Sequence, residues 1–281
     1  KPLGATVYQD DMFGAQYELM KLMHDQSEVR VAEPLWFEAD DALLGAPFFV
    51  MEKVAGRVAV SYPPYSREGW LVDDATPEDR HRMWHDTVSQ LALIQRVDPA
   101  AASFLALPTG GDGFGQEADR WRRYMNWIDE KGELTLLREG FDRLMAAAPA
   151  NRPEGIVWGD ARLGNMMIGA DFNVAAVMDW EQPSLGGALH DLGWWLLSER
   201  NYTVNQGIPT LPGMGTREET IALWEDVSGK SAAEVEWYET FVTFKQECLG
   251  THMANTRDMS ARAKAFVPGT RIAAALDQLG A

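Results

Sequence analysis

The sequence predicts an α+β chain in two lobes: a small N-terminal part that carries strands and a larger part built mostly of helices. Three observations predict it. A helical stripe and two strand-like apolar runs crowd into residues 1–54. Helical periodicity and helix-start signals dominate residues 55–281. One hairpin pattern, between Ile156 and Glu181, is embedded among those helices. The boundary is expected near Val54 to Gly56, just after the second apolar run.

Composition bounds the function. The chain has 281 residues, 46% hydrophobic and 24% charged, the profile of a soluble globular protein. It contains no apolar run of membrane-spanning length and no secretory signal, so no membrane partner is expected. Cys248 is the only cysteine, which excludes an intrachain disulfide and fits a cytoplasmic location. The formal net charge of -17 argues against a nucleic-acid partner, because no basic stripe is available to neutralise phosphates. The same charge keeps the protein soluble, and an acidic surface would also attract a cationic substrate. No feature specifies an oligomeric state.

The first helix is predicted from a cap at Asp10 or Asp11 to about Gln26. Met12, Ala15, Leu19, Leu22 and Met23 form its apolar face, and Glu18 lies beside that face. Pro34 to Phe37 reads as a strand. Ala46 to Met51 is unbroken apolar and reads as a buried strand, leading through Glu52 to Gly56. Residues 57–75 are rich in Tyr, Pro and Ser and read as a loop centred on Tyr62 to Tyr65. Thr76-Pro77-Glu78-Asp79 is a helix start: a cap, a proline at the first helical position, then acids for the dipole. That helix is expected to reach Arg96, with Trp84 in the core.

Gly110 to Gly115 is glycine-dense, but no strand precedes it and no lysine follows, so it reads as a flexible loop rather than a phosphate loop. Helices are expected at 116–130 and 133–147, and again over Leu189 to Ser198. Residues 201–215 read as a loop. Thr216 to Glu219 and Ser231 to Glu234 are two capping boxes, the second opening a helix that reaches about Ala254. A last helix is expected from Arg271 to Leu279.

The stretch from Ile156 to Glu181 carries the chemistry. It reads as two short apolar strands, each with polar residues at its C-terminal end. Ile156-Val157-Trp158 leads into Asp160, and Val174 to Met178 leads into Asp179. A turn at Asp171-Phe172-Asn173 lies between, and Asn165 stands five residues after Asp160. Two carboxylates and a carboxamide are hard oxygen ligands, suited to Mg²⁺. The layout matches what phosphoryl transfer needs: a carboxylate to orient the acceptor hydroxyl, then metal ligands to bridge the phosphates. Gly159 and Gly164 let the loop turn tightly.

Gly159-Asp160 through Asn165, Met178-Asp179-Trp180-Glu181 and His190-Asp191-Leu192-Gly193 resemble, in order, the motifs of the aminoglycoside phosphotransferase and choline kinase group of the protein-kinase-like superfamily. The sequence is most similar to a subgroup that includes the kinase-like domain fused to some acyl-CoA dehydrogenases. Phe48 to Glu52 through Gly56 resembles the subgroup's hinge. The resemblance implies a bilobal protein-kinase-like fold, with a small β-rich N-terminal lobe at 1–54 and a larger, mostly helical catalytic and substrate-binding lobe at 55–281.

It also implies ATP and Mg²⁺ as cofactors, and transfer of the γ-phosphoryl group to a hydroxyl of a small molecule. Asp160 would be the base, and Arg162 would meet phosphate or substrate. Asn165 and Asp179 would hold Mg²⁺. Glu18 would be the helix acid that pairs with a basic strand residue. The backbone of Glu52 to Val54 would hold adenine, and Asp191 would brace the catalytic loop through backbone hydrogen bonds. The acceptor would be aminoglycoside-like, which suits the acidic charge, or of hydroxyacyl type, which the dehydrogenase fusions suggest. The helices after residue 110 and after residue 200 would form its pocket.

Two departures stand out. The family has His where this chain has Trp158. The family's phosphate-covering loop and basic strand residue belong N-terminal to the first helix, so the resemblance implies a chain that continues upstream and an incomplete small lobe here. Lys1 is the candidate for the basic residue, although Pro2 follows it. Without that segment a second reading opens: a catalytically weak kinase-like module that binds a nucleotide or ligand.

Overall fold

The computed structural model describes residues 7–108, 110–130, 132–256 and 267–281; Lys1 lies outside them. The first helix, α1, spans Phe13–Gln26. Asp11 accepts the Phe13 N–H at 3.1 Å, so it supports the first turn from just outside the helix. Leu19, Leu22 and Met23 are buried, as the stripe predicts.

Strands β1 (Pro34–Glu38) and β2 (Phe48–Met51) form an antiparallel two-stranded sheet. Its inner face meets α1 through aromatic contacts, with Phe13 and Tyr17 packed on Phe37 and Phe49 at 5.1–6.0 Å between ring centroids. β2 is not the buried strand its unbroken apolar run implies. Val50 and Met51 are exposed, as are Leu35 and Trp36 of β1. The exposed residues are consecutive, so they lie on both faces, and α1 covers the sheet only around Phe37 and Phe49.

Beyond the sheet come α2 (Trp70–Asp73) and α3 (Pro77–Leu93). The Thr76 start forms as a complete capping box with Asp79. The helix ends at Leu93 and a 3-10 turn carries the chain to Arg96. Trp84 is in the core and donates its indole N–H to Thr220 at 3.0 Å. The glycine-dense loop opens directly into α4 (Gly113–Ile128), which starts earlier than expected because Asp112 caps it by accepting the Gly115 N–H at 2.7 Å. α5 spans Thr135–Ala146.

The hairpin at the centre differs from its sequence reading. Its strands are β3 (Met166–Ile168) and β4 (Val174–Val177), paired antiparallel. Ile156 to Trp158 is not a ladder strand: Val157 makes one isolated bridge, to Ser184. The apolar run is buried by tertiary packing instead, with Trp158 fully inaccessible.

The helical part closes with α6 (Leu189–Tyr202), α7 (Arg217–Ser228), α8 (Val235–Thr256) and α9 (Thr270–Leu279). α6 lies along α8, α7 against α3, and α9 against α5 and α8. The Thr216–Glu219 capping box forms. The one at Ser231 does not start a helix: Ser231 accepts from Ala233, the Ala232 N–H goes to Glu225, and α8 begins at Val235. Trp158, Trp180, Trp195, Trp224, Tyr238, Phe241 and Phe244 fill the core between these helices and the hairpin. Among the described residues no helix is long and apolar enough to cross a membrane.

Candidate active site

Asp160, Arg162 and Asn165 lie on one tight loop. Its entry requires glycine. Gly159 has φ +113°, and a Cβ there would sit 2.3 Å from the Gln182 carbonyl oxygen. The loop is then held from below. Asp191, in the first turn of α6, accepts the Trp158 N–H at 2.6 Å and the Gly159 N–H at 2.9 Å. The implied brace is thus present as two backbone hydrogen bonds. Burial pushes Asp191 up to about 6, and the two amides oppose that shift.

Within the loop, Asp160 Oδ2 accepts from Asn165 Nδ2 at 2.8 Å and from Arg162 Nε at 2.9 Å. Asn165 Nδ2 also donates to the Asp160 carbonyl at 3.0 Å. Both donors converge on one oxygen, Oδ2 of Asp160. Arg162 in turn reaches Ser61 Oγ at 3.0 Å, tying the Asp160 loop to the segment after the small sheet.

Asp179 follows β4 with φ +60°, a left-handed conformation that is costly for a residue with a side chain. Trp158 explains how it is held. Its indole N–H donates to the Met178 carbonyl at 2.9 Å and the Asp179 carbonyl at 3.1 Å, and its ring packs on Trp180. The Met178 N–H is taken by the Asn165 carbonyl at 2.9 Å. The residue that departs from the family pattern therefore ties the Asp160 loop to Asp179. Burial and then the Asp160 charge raise the Asp179 carboxyl. Partial shielding, then the charges of Asp179 and Asp160, push Glu181 up to about 7.

These residues fit a magnesium ion. Asn165 turns its NH₂ toward Asp160, so its carbonyl oxygen faces away from that contact. Asp179 sits where a cation would offset both its burial and the neighbouring charge. Among the described residues no three His, Cys, Asp or Glu side chains form a metal cage. Two protein ligands suit Mg²⁺, which keeps waters and phosphate oxygens in its shell.

The remaining expected residues lie apart from this centre. Glu18 is on the exposed side of α1, and Lys1, its suggested partner, falls outside the described residues. Glu52 leaves β2 and donates its N–H to the Glu33 carbonyl at 2.9 Å. Val54 is half-buried, and the connector then runs close against β3. A Cβ at Gly56 would lie 2.6 Å from Met167 Cγ and 2.7 Å from the Ile168 carbonyl oxygen. Met167 thus faces the connector, whereas Met166 is fully buried in the core.

A cavity of about 950 Å³ opens beside Asp160 and Arg162. Residues 61–67, the C-terminal half of α6, Gln246 to Met253 of α8, and Arg271 of α9 line it. The helices just after residue 110 do not, which corrects the expected pocket in part. The sequence reading missed Ser61, Arg67, Asn201, Gln246 and Arg271, which reach the cavity from separate elements and share no spacing.

A sequence profile described as the phosphotransferase enzyme family matches residues 9–229. The chain belongs to the phosphotransferase enzyme family. A Ralstonia eutropha structure assigned as an aminoglycoside phosphotransferase superimposes with a TM-score of 0.73 at 22% identity, covering 94% of this chain and 80% of that one. Choline kinase from Streptococcus pneumoniae gives 0.60 at 12% identity, with 94% and 80% covered. These likenesses establish a protein-kinase-like fold for this phosphotransferase family member, with a small β-bearing lobe and a larger helical one. Human acyl-CoA dehydrogenase family member 11 is 22% identical over 250 residues, which is 84% of this chain and 30% of the human protein. The mouse family member 10 is 24% identical over 221 residues, 78% of this chain and 20% of that protein. The chain therefore spans about a third or less of the length of these curated relatives.

Proposed function

We propose that this chain is an ATP- and Mg²⁺-dependent phosphotransferase acting in the cytoplasm, where it moves the γ-phosphoryl group to a hydroxyl of a small molecule that also carries a carboxylate or phosphate. Asp160 Oδ1 accepts the acceptor's hydroxyl proton, while Asn165 and Arg162 on Oδ2 hold the carboxylate in line. Asn165 and Asp179 would hold Mg²⁺, which when bound neutralises charge on the phosphates. The backbone of Glu52 to Val54 takes the adenine edge. Glu18 belongs to the same nucleotide lobe, with residues 1–54 forming that lobe and 55–281 the catalytic and acceptor lobe.

The charge of the cavity carries the choice of acceptor. Arg67, Arg162 and Arg271 line it, and Asp160 is the only carboxylate among its lining residues. Arg162 is paired with Asp160 at 2.9 Å, and Arg271 acts on the Glu247 carboxylate, to which its backbone N–H also donates at 3.1 Å. In a chain of net charge -17 this lining is a local reversal of sign. It suits an anionic hydroxy acid or hydroxyacyl compound better than a polycationic aminoglycoside. Aminoglycoside recognition was the acceptor suited to the overall acidity, but overall charge does not describe this cavity.

The test is transfer from γ-labelled ATP across hydroxy acids, hydroxyacyl thioesters and aminoglycosides. Anionic acceptors should be labelled, and Arg67→Ala or Arg271→Ala should raise their KM by roughly 10–100-fold, the worth of a charged hydrogen bond. Labelling of aminoglycosides alone would overturn the acceptor choice. Nucleotide binding without transfer to any hydroxyl would favour the weak binding module instead.

A further inference from the structure

Away from the candidate active site, a cavity of about 390 Å³ opens where the end of α6, the start of α7, the first half of α8 and the end of α9 meet. It shares no lining residue with the cavity beside Asp160. Its size falls at the lower end of the range for small-molecule sites, roughly 300–1,000 Å³. Its sides differ in hydrogen-bonding character. Arg200 and Arg217 reach it from α6 and α7, and a guanidinium can only donate. Glu236, Glu239, Thr240 and Thr243 face it from α8, at the i, i+3, i+4 and i+7 spacing of one helix face. Both threonine hydroxyls already donate within α8, Thr240 to the Glu236 carbonyl at 2.9 Å and Thr243 to the Glu239 carbonyl at 3.0 Å. They keep only lone pairs for a ligand, so the α8 side can only accept.

The two arginines are positioned by one buried carboxylate. Glu239 is buried, and its Oε2 accepts from Arg217 Nη2 at 2.6 Å. Its Oε1 has no hydrogen-bond partner among the described residues, and Arg200 Nη2 stands 3.5 Å from it. Glu239 thus fixes Arg217 and draws Arg200 in, while most of their N–H groups stay uncommitted among the described residues. Two arginines and two glutamates cancel in charge. A lone anion would meet Glu236, and a lone cation would meet the arginines. A molecule carrying both charges satisfies both sides. Ala275 and Leu279 of α9 add an apolar wall that a hydrocarbon side chain can cover. We infer that this cavity is a binding site for a free α-amino acid: the carboxylate on Arg200 and Arg217, the ammonium on Glu236 and the threonine hydroxyls, and an apolar side chain against α9.

The measurement is titration of the isotope-labelled full chain with leucine, isocaproate and isoamylamine, followed by amide NMR shifts. The last two are leucine without its amino group and leucine without its carboxylate. Leucine should shift residues 200, 217, 236–243 and 275–279 and saturate, while each half-molecule binds about tenfold more weakly or worse. Arg200→Gln should weaken leucine by roughly 10–100-fold, the worth of a hydrogen bond between charged groups. Glu236→Gln should weaken leucine by a similar factor yet strengthen isocaproate, because the acid that repels a lone anion is gone. General damage to the fold would weaken both ligands together. Arg200 and Glu236 are exposed, so both variants should melt within a few degrees of the unmodified chain.

Three results would each overturn the inference. One is the absence of a saturable leucine shift at these residues. Another is isocaproate binding the unmodified chain as tightly as leucine does. The third is loss of leucine binding in Arg67→Ala but not in Arg200→Gln, which would place the amino acid in the cavity beside Asp160. The titrations contain no nucleotide and need no transfer, so their outcome stands apart from the proposed function.

Discussion

Replacing Trp158 with Phe removes one N–H from the centre of the site and leaves an aromatic ring in its place. The lost donor serves the Met178 and Asp179 carbonyls at 2.9 and 3.1 Å, and the side chain is fully inaccessible, so no water replaces it. Orphaned buried acceptors cost about 1–3 kcal/mol. The smaller ring adds about 1 kcal/mol for incomplete filling. A total of about 2–4 kcal/mol corresponds to a melting temperature roughly 5–15 °C lower in a chain of this size. Function should suffer more than stability does. Asp179 is held at φ +60°, a strain of about 1–2 kcal/mol, partly by that bond to its own carbonyl. Once released, the backbone relaxes and the carboxylate leaves the Asn165 side of the site. Affinity for Mg·ATP, measured by titration calorimetry well below the melting point, should fall about tenfold or more. Trp158→His restores a ring donor and should recover part of the loss. A Phe variant with unchanged melting and unchanged Mg·ATP affinity would refute the reasoning.

Asp160→Asn should cut turnover by about 10²–10⁴-fold, because it removes the proposed base, while nucleotide titrations stay within twofold. Asp179→Ala should abolish the Mg²⁺ dependence of nucleotide binding, read by comparing titrations with Mg²⁺ and with EDTA. Glu199, bonded by the Tyr65 hydroxyl, is raised by burial to about 7. Its folded value exceeds its unfolded one, so its contribution to stability is full at acid pH and is lost as pH rises through 7. Glu199→Gln should therefore flatten the decline in melting temperature between about pH 4.5 and 7.

The grouping of the candidate site was legible because it is local. Asp160, Asn165 and Asp179 fall within one loop and one hairpin, so their spacing along the chain survives in space. The brace at Asp191 was legible through its motif. Trp158 was readable as a departure from the family pattern, but nothing in a lone indole says which carbonyls it will reach. The cavity beside Asp160 was legible only as a pocket among the helices after residue 200, and the individual residues that line it were not. Ser61, Arg67, Asn201, Gln246 and Arg271 come from four segments whose approach depends on how α6, α8 and α9 pack, and no periodicity encodes that. β2 misled for a related reason. A run such as Phe48 to Met51 records apolarity, whereas burial depends on what stands over each face of the sheet. The second capping box failed because Glu225, on the preceding helix, took the Ala232 amide and delayed the start of α8.

In the proposed function, acceptor recognition and base orientation share one element, and this constrains how specificity can change. Residues 61–67 present Tyr62, Pro63, Pro64 and Arg67 to the cavity. The segment is fastened to α6 by the Tyr65 bond to Glu199 and by the Ser66 hydroxyl on the Tyr202 carbonyl. Its first residue, Ser61, accepts from Arg162, and Arg162 donates to the same Asp160 oxygen that Asn165 holds. A shift of this segment to fit another acceptor therefore moves Ser61, loosens Arg162 and changes the direction in which Asp160 meets its proton. Substitutions at Ser61 or Tyr65 should alter kcat together with KM, whereas substitutions at Arg271, which reaches the cavity from α9 without touching that chain of bonds, should act on KM alone.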